Sequence, residues 1–122
     1  MATARDIMKG GHSAGGARAI NGQVAPTVSA AGTTISDATD LTASINVVTT
    51  AAASSGVQLP SCEIGDQVEI LNLGDNAVTV YPDISTGQVN DLAAGAGFLL
   101  ATNTAVKLRR FTTLRWIGFL SA

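Results

Sequence analysis

Residues 11–15, Gly-His-Ser-Ala-Gly, fit the G-x-S-x-G pattern that carries the nucleophile in α/β-hydrolases. That motif works only on a strained turn between a strand and a helix, where the serine hydroxyl is exposed. Here glycines flank the motif on both sides, and the general base would have to be a histidine from elsewhere in the chain. His12, the only histidine, is next to Ser13 in sequence. The sequence therefore predicts that the protein is not an enzyme and has no catalytic residues.

Metal and cofactor sites also lack the residues they need. Cys62 and the one histidine cannot complete a zinc site, and no cation or general base is predicted beside Cys62 to make a thiolate. The glycine run lacks the Gly-Lys-Ser/Thr ending of a phosphate loop. The acid pairs Asp37 with Asp40 and Asp66 with Glu69 lack the dense oxygen ligands that Ca²⁺ requires. We interpret them as turn acids and expect no metal and no cofactor.

The composition favours a small protein that associates with other protein. The chain has 122 residues, enough for one domain, and 46% of them are hydrophobic but only 4% aromatic. Such a core buries little area per side chain, so subunit association is the expected source of further burial. Only 13% of residues are charged, which indicates a surface covered in part by protein. The net charge of −2 argues against a nucleic-acid binder.

No membrane or export signal is predicted. Residues 1–9 lack the apolar centre of a signal peptide, and no segment contains 18 continuous apolar residues. We therefore expect synthesis in the cytoplasm and no membrane association.

A change of pattern near residue 31 divides the chain into an N-terminal arm, residues 1–31, and a body, residues 32–122. The arm is rich in glycine and shows no strand or helix pattern, and its three basic residues and one acidic residue give a net charge of +2. The body has four basic and eight acidic residues, a net charge of −4. The arm is either a disordered tail or a segment that orders on a partner. The candidate partner-binding residues are Arg5, Ile7, Met8, Lys9, Arg18 and Ile20.

Short apolar runs separated by turn residues predict that the body is all-β. We expect strands at residues 45–50, 56–59, 67–73, 78–81, 88–92, 98–101, 105–111 and 114–120. Gly74, Asp75 and Asn76 between the third and fourth of these runs predict a hairpin. Strands at this spacing are typical of an antiparallel β-sandwich or barrel.

The last two predicted strands carry the heaviest side chains and most of the basic ones. Arg109, Arg110 and Arg115 could form a basic rim that meets an acidic neighbour, or serve as ordinary edge-strand charges. The large apolar residues are assigned to the core or to a subunit interface rather than to a ligand platform. They are Phe111, Trp116, Ile117, Phe119 and Leu120.

An ordered series of short motifs spans residues 28–120. It comprises TT at 33–34, TDL at 39–41, NVVTT at 46–50, GVQLP at 56–60, GDQV at 65–68, NLGDNA at 72–77, VYP at 80–82, GQVN at 87–90, LAAG at 92–95 and a final strand with Trp116. This series resembles a β-domain of tailed-bacteriophage virion proteins, found in capsid decoration (cement) proteins and in head or tail fibres. The apolar residues 117–120 depart from the polar tail that follows the tryptophan in that domain, which suggests burial against another subunit.

The resemblance implies a trimeric virion protein without catalytic residues. A decoration protein would bind the major capsid protein on the outer surface of the head, and we favour it because the chain is short and has no shaft repeats. Extended, an arm of about 30 residues could span up to ~100 Å, enough to reach a neighbouring capsomer. The alternative is a fibre or spike module that binds a host receptor or carbohydrate, for which Tyr81, Asp83 and Asp91 are the only candidate cluster.

Overall fold

The computed structural model describes residues 22–121, and these residues form strands, turns and loops without a helix. The all-β prediction is confirmed, and the eight predicted strands correspond to β3 to β10. The ten strands are β1 (Val24–Ala30), β2 (Thr39–Asp40), β3 (Ile45–Ala51), β4 (Gly56–Gln58), β5 (Gln67–Asn72), β6 (Val78–Tyr81), β7 (Gln88–Val89), β8 (Phe98–Leu100), β9 (Thr104–Arg110) and β10 (Arg115–Leu120).

The strands form two sheets. One has six strands in the order β1-β3-β5-β9-β10-β7, and the other has four in the order β2-β4-β6-β8. Within the first six strands, the chain alternates between the sheets, so each odd-numbered strand lies in the larger sheet and each even-numbered strand in the smaller one. Both β1–β3–β5 and β2–β4–β6 pair in parallel. This gives a stack of three coils, a β-solenoid-like arrangement.

Successive coils have similar lengths although the sequence shows no repeat. Val24 lies opposite Ile45, and Ile45 lies opposite Glu69, so the chain advances by 21 and then 24 residues per coil. The first strand, β1, lies at the edge of its sheet. It contains Pro26, and its register against β3 shifts twice between Ala25 and Ser29. Proline has no N–H to donate and is confined to such edge positions in sheets.

The last strands close the stack in antiparallel fashion. β9 lies between β5 and β10 and is antiparallel to both, while β8 is antiparallel to β6. The two-residue strand β7 pairs in parallel with Arg115 and Trp116 of β10 only. Beyond Trp116, the outer edge of β10 has no neighbouring strand within residues 22–121.

Inward-facing side chains of both sheets form one apolar core. The larger sheet contributes residues such as Ile70, Leu108 and Trp116, and the smaller sheet contributes residues such as Val80 and Leu100. All five are fully buried. Because the side chains of a strand alternate between its two faces, this inner set leaves a second, outward-facing set on each sheet.

The predicted hairpin between β5 and β6 is wrong. β5 pairs with β3 and β9, whereas β6 pairs with β4 and β8 in the other sheet. The buried Asn72 side chain accounts for the crossing. Its Nδ2 donates to the carbonyls of Asn76 and Leu100 at 2.9 Å, and its Oδ1 accepts from the N–H of Gly74 at 3.0 Å. These bonds supply partners for the backbone polar groups at the turn that carries the chain from one sheet to the other.

Two further expectations need correction. The sheets are mixed and solenoid-like, which differs from the antiparallel sandwich or barrel predicted, because the three coils pair in parallel. The arm was predicted to contain no strand, but β1 lies inside residues 1–31 and pairs with β3. The sequence of β1 shows no clear alternation of apolar and polar residues, because it contains Pro26 and several small side chains. The remainder of the predicted arm, up to residue 21, lies outside the described residues.

Candidate functional site

The predicted arm residues lie outside the part of the chain that the structure describes. This applies to the six candidate partner-binding residues, Arg5, Ile7, Met8, Lys9, Arg18 and Ile20, and also to the G-x-S-x-G motif at residues 11–15. The structure does describe the point at which this segment joins the body. The N–H of Gln23 donates to Ser44 Oγ at 2.8 Å, and the carbonyl of Gln23 accepts from the N–H of Ile45 at 2.9 Å. The segment therefore joins a fixed position at the edge of the larger sheet.

A buried ion pair occupies the end of the molecule where β6, β9 and β10 meet. Arg110 Nη1 lies 3.2 Å from Asp83 Oδ2, and the two side chains are only 12% and 4% exposed. Trp116 Nε1 donates to Asp83 Oδ1 at 3.2 Å, and the Arg110 guanidinium lies 6.0 Å from the centroid of the Trp116 ring. Burial of both charges is tolerated because they are paired and hydrogen-bonded.

Arg110 also binds three backbone carbonyls. Its guanidinium donates to Cys62 at 2.5 Å, to Thr112 at 3.3 Å and to Thr113. One side chain thus connects the loop before β5, the loop after β6 and the turn between β9 and β10. This set of contacts makes Arg110 a structural group, whose donors are directed into the protein rather than toward a partner.

The three arginines therefore do not form one rim. Arg115 pairs with Asp91 at 2.5 Å, donates to the carbonyl of Asn90 at 2.9 Å, and lies 5.8 Å from the Phe111 ring centroid. Arg109 is exposed on β9, and Arg110 is directed inward. Only Arg109 presents its charge on an open strand face.

The structure does not assemble the candidate carbohydrate cluster. Asp83 is taken up by Arg110 and Trp116, whereas Asp91 is exposed and bound to Arg115. The hydroxyl of Tyr81 donates to the carbonyl of Thr33 at 2.9 Å. The aromatic ring and the two carboxylates therefore serve three separate contacts.

The acidic pairs considered for calcium are also separate. Asp37 Oδ1 accepts from the backbone N–H groups of Thr33 and Thr34 and from the Thr34 hydroxyl, and these bonds lower the pKa of the Asp37 carboxyl, the Thr34 hydroxyl most of all. Asp66 accepts from the N–H of Glu63 at 2.9 Å. Within residues 22–121, no three His, Cys, Asp or Glu side chains form a group that could hold a metal ion.

Cys62 is half-buried, and its thiol is held in the protonated form. Burial raises the pKa of the Cys62 thiol, and the negative charges of Asp66 and Asp83 raise it further, although Arg110 acts in the opposite direction. A cysteine is nucleophilic as the thiolate, so the described surroundings make Cys62 a poor nucleophile.

The structure places the five predicted core or interface residues in two different environments. Trp116 is fully buried in the core, while Phe111, Ile117, Phe119 and Leu120 are exposed, Phe119 to 64%. Ile117 and Phe119 point away from the core because side chains alternate along β10. The exposed members of this set lie on the outer face and at the end of the larger sheet.

A shallow groove of about 330 Å³ lies on that outer face, across β5, β9 and β10. We call it the β10 groove and define it by Glu69, Leu71, Ala105, Lys107, Phe119 and Leu120. Phe119 lies opposite Lys107, and Lys107 lies opposite Glu69 with 3.2 Å between Nζ and Oε1. The floor and walls are apolar, and this one ion pair crosses them.

Sequence reasoning missed four members of the β10 groove, Glu69, Leu71, Ala105 and Lys107. The alternation of residues 67–72 and 105–110 puts each pair on one face of its own strand, but only the register brings β5 beside β9. The alternation of each strand was visible in the sequence, but the pairing of β5 with β9 was not.

No helix in the described part of the chain is long and apolar enough to cross a membrane. The comparisons with known proteins found no match to this chain among protein-family models, curated proteins or solved structures.

Proposed function

We propose that this protein is a virion structural protein, a capsid decoration protein that binds the major capsid protein on the outside of a bacteriophage head as a homo-oligomer. Its N-terminal segment would lie across capsid subunits while the β-body stands on the shell. The motif series of the body, which resembles that of phage virion proteins, supports this assignment.

The observation that carries the proposal is the uneven charge of the chain. Residues 1–21 contain Arg5, Lys9 and Arg18 against Asp6, whereas residues 22–122 have a net charge of −4. The basic segment continues directly into Gln23, which is bonded to Ser44 and Ile45 at the edge of the larger sheet. A basic segment tethered at a fixed point suits a partner with an acidic surface, because complementary charges steer and orient association.

The function would be mechanical rather than catalytic. Each copy would add many weak contacts to the shell, and repetition over the lattice would oppose the internal pressure of packed DNA. Linked weak contacts gain strength because the second contact forms within one complex. The Arg110 cluster fits such a role, because its charged groups are paired and hydrogen-bonded within the body.

Deletion of residues 2–21 tests the role of the basic segment. This deletion keeps β1, which pairs with β3 and belongs to the body, so the remaining chain retains all ten strands. We expect a folded protein of unchanged oligomeric state that no longer binds capsids lacking decoration protein. Co-sedimentation with such capsids measures the loss, and electron microscopy of the particles shows the sites occupied.

A charge variant serves as the matched control. Full-length protein with Arg5, Lys9 and Arg18 changed to Gln keeps the length of the segment and removes its positive charge. We expect capsid binding that is weaker and less sensitive to salt than that of the unchanged protein. Full capsid occupancy by the deletion variant would contradict the proposed role of residues 1–21, and binding to glycans but not to capsids would favour the fibre alternative.

A further inference from the structure

We propose that the β10 groove is covered by a second copy of this chain, so that copies associate through the outer face of the six-stranded sheet. The proposed function supplies the expectation of an oligomer, and the inference rests on it to that extent. The contact proposed here is two-fold and joins two copies, whereas the resemblance to virion proteins implies three. The inference adds the surface through which the oligomer forms. Three observations carry it: the exposed apolar area, its charge pattern and the open edge of β10.

The first observation is the concentration of exposed apolar side chains near the C-terminal strand. Of the ten large apolar side chains exposed among residues 22–121, five lie between Phe111 and Leu120. Phe119 lies beside Leu120 in the groove, and Leu71, Ala105 and Val106 add to the apolar lining. Exposed apolar patches of this kind mark sites that another molecule covers.

The size of this face fits a folded partner. β3, β5, β9 and β10 together measure roughly 19 Å across and ~22 Å along the strands, a flat area of about 400 Å² before the relief of the side chains is counted. A stable contact buries about 800 Å² per partner. The face supplies a large part of that area, whereas one bound peptide strand would cover only a fraction of it.

The second observation is that the charges in the groove complement themselves. Glu69 and Lys107 lie side by side at its centre, 3.2 Å apart. When two copies of the face meet, the Glu69 of each can lie against the Lys107 of the other, because a symmetric contact uses the same patch on both copies. A strongly acidic or basic partner would gain nothing from this neutral pair.

The third observation is the difference between the two ends of the six-stranded sheet. At one end, Pro26 and two register shifts make β1 a poor template for another strand. At the other end, β7 covers only Arg115 and Trp116, and the Asn90 side chain accepts from the N–H of Gly118 at 2.9 Å. The edge at Phe119 and Leu120 has no strand beside it among the described residues. The open edge is continuous with the apolar groove, so one partner can cover both.

The first test compares Phe119→Glu with Leu99→Glu. Both residues are exposed on strands, Phe119 to 64% and Leu99 to 69%, but Leu99 lies on the smaller sheet, away from the groove. Light scattering of full-length protein over a range of concentrations measures the mass. We expect Phe119→Glu to weaken association by about tenfold to a hundredfold. Leu99→Glu should associate like the unchanged protein.

The second test uses charge exchange across the contact. Lys107→Glu places two acidic residues in the groove, and Glu69→Lys places two basic residues there, so each variant alone should remain monomeric at concentrations where the unchanged protein associates. A mixture of the two variants should associate again, because opposite charges then face each other. Thermal unfolding of each variant reports whether the fold is retained.

Several outcomes would overturn the inference. These are a monomeric unchanged protein at every concentration, equal association of Phe119→Glu and the unchanged protein, or equal loss of association in Phe119→Glu and Leu99→Glu. A mixture of charge variants that stays monomeric while both are folded would also contradict it. None of these measurements involves capsids, so the proposed capsid binding stands or falls separately.

Discussion

Asp83 and Asp91 are two aspartates that each bind an arginine in very different surroundings. Asp83 is 4% exposed and contacts Arg110 and Trp116, whereas Asp91 is 98% exposed and contacts Arg115. Removal of one member of a buried ion pair leaves an uncompensated charge, which typically costs about 3–5 kcal/mol. Exposed pairs contribute little because water and salt screen them.

The substitution Asp83→Asn should therefore lower the free energy of unfolding by about 3 kcal/mol, because it leaves the charge of Arg110 buried without its partner. Asp91→Asn, the same chemical change at an exposed arginine contact, should leave stability unchanged. Urea unfolding followed by circular dichroism measures both. Equal stability of the two variants would show that the Arg110 cluster is more hydrated than its burial indicates.

Cys62 gives a prediction about pH. Its thiol pKa is raised, first by burial and then by Asp66 and Asp83, so a given fraction of thiolate forms only at a higher pH in the folded protein. Alkylation of the folded protein should be slower at neutral pH than alkylation of the urea-unfolded chain, and its rate should rise with pH at a higher midpoint. Since Cys62 is the only cysteine, one modification rate reports on it. A folded-state midpoint at or below the unfolded one would contradict this prediction.

At the level of single residues, the sequence identified candidate side chains but not their contacts. The absence of zinc-ligand spacing follows from composition alone. The role of Asp83 does not, because its partner Arg110 is 27 positions away and comes close only where the end of β6 in the smaller sheet meets β9 and β10 of the larger sheet. Arg110 was grouped with Arg109 and Arg115 by proximity in sequence, and the alternation of β9 directs Arg109 and Arg110 to opposite faces.

Strand positions were predictable because alternation is local, and strand partners were not. Residues 67–72 alternate between buried and less buried positions, as a half-covered strand requires. A turn such as Gly74-Asp75-Asn76 serves a hairpin or a crossing between sheets equally well, and the difference depends on Asn72 reaching the carbonyl of Leu100 in β8. A contact over 28 positions leaves no local signal.

Asn72→Leu should destabilise the protein because it removes the side chain that hydrogen-bonds the backbone where the chain crosses between the sheets. The carbonyls of Asn76 and Leu100 and the N–H of Gly74 would lose their partner. A buried group left unsatisfied costs about 1–3 kcal/mol. We expect a total loss of about 2–4 kcal/mol in the free energy of unfolding, measured by urea titration.

Asp75→Ala is the matched control for this turn, since Asp75 is exposed and lies between Gly74 and Asn76. It should change stability by less than about 0.5 kcal/mol. If Asn72→Leu proved as mild as Asp75→Ala, the crossing between the sheets would be held by core packing alone.

For the whole molecule, composition predicts association but does not indicate which surface would take part. The low charge content and the few aromatic residues indicated a surface covered by protein. The β10 groove appears only when β5, β9 and β10 are side by side, because its members come from three separate segments. The fold class followed from local patterns, and the solenoid-like stacking did not, because its coils share no sequence repeat.

The stack of parallel coils also has a defined length. Parallel coils can in principle add further coils at either end, and open stacks of this kind grow into fibres. Here the antiparallel strand β9 follows β5 and ends the series on one side, while Pro26 and the irregular register of β1 discourage an incoming strand on the other. Residues 22–121 therefore form a solenoid-like stack of three coils with a stop at each end. With both ends blocked, these coils are a poor template for the addition of further coils from other copies.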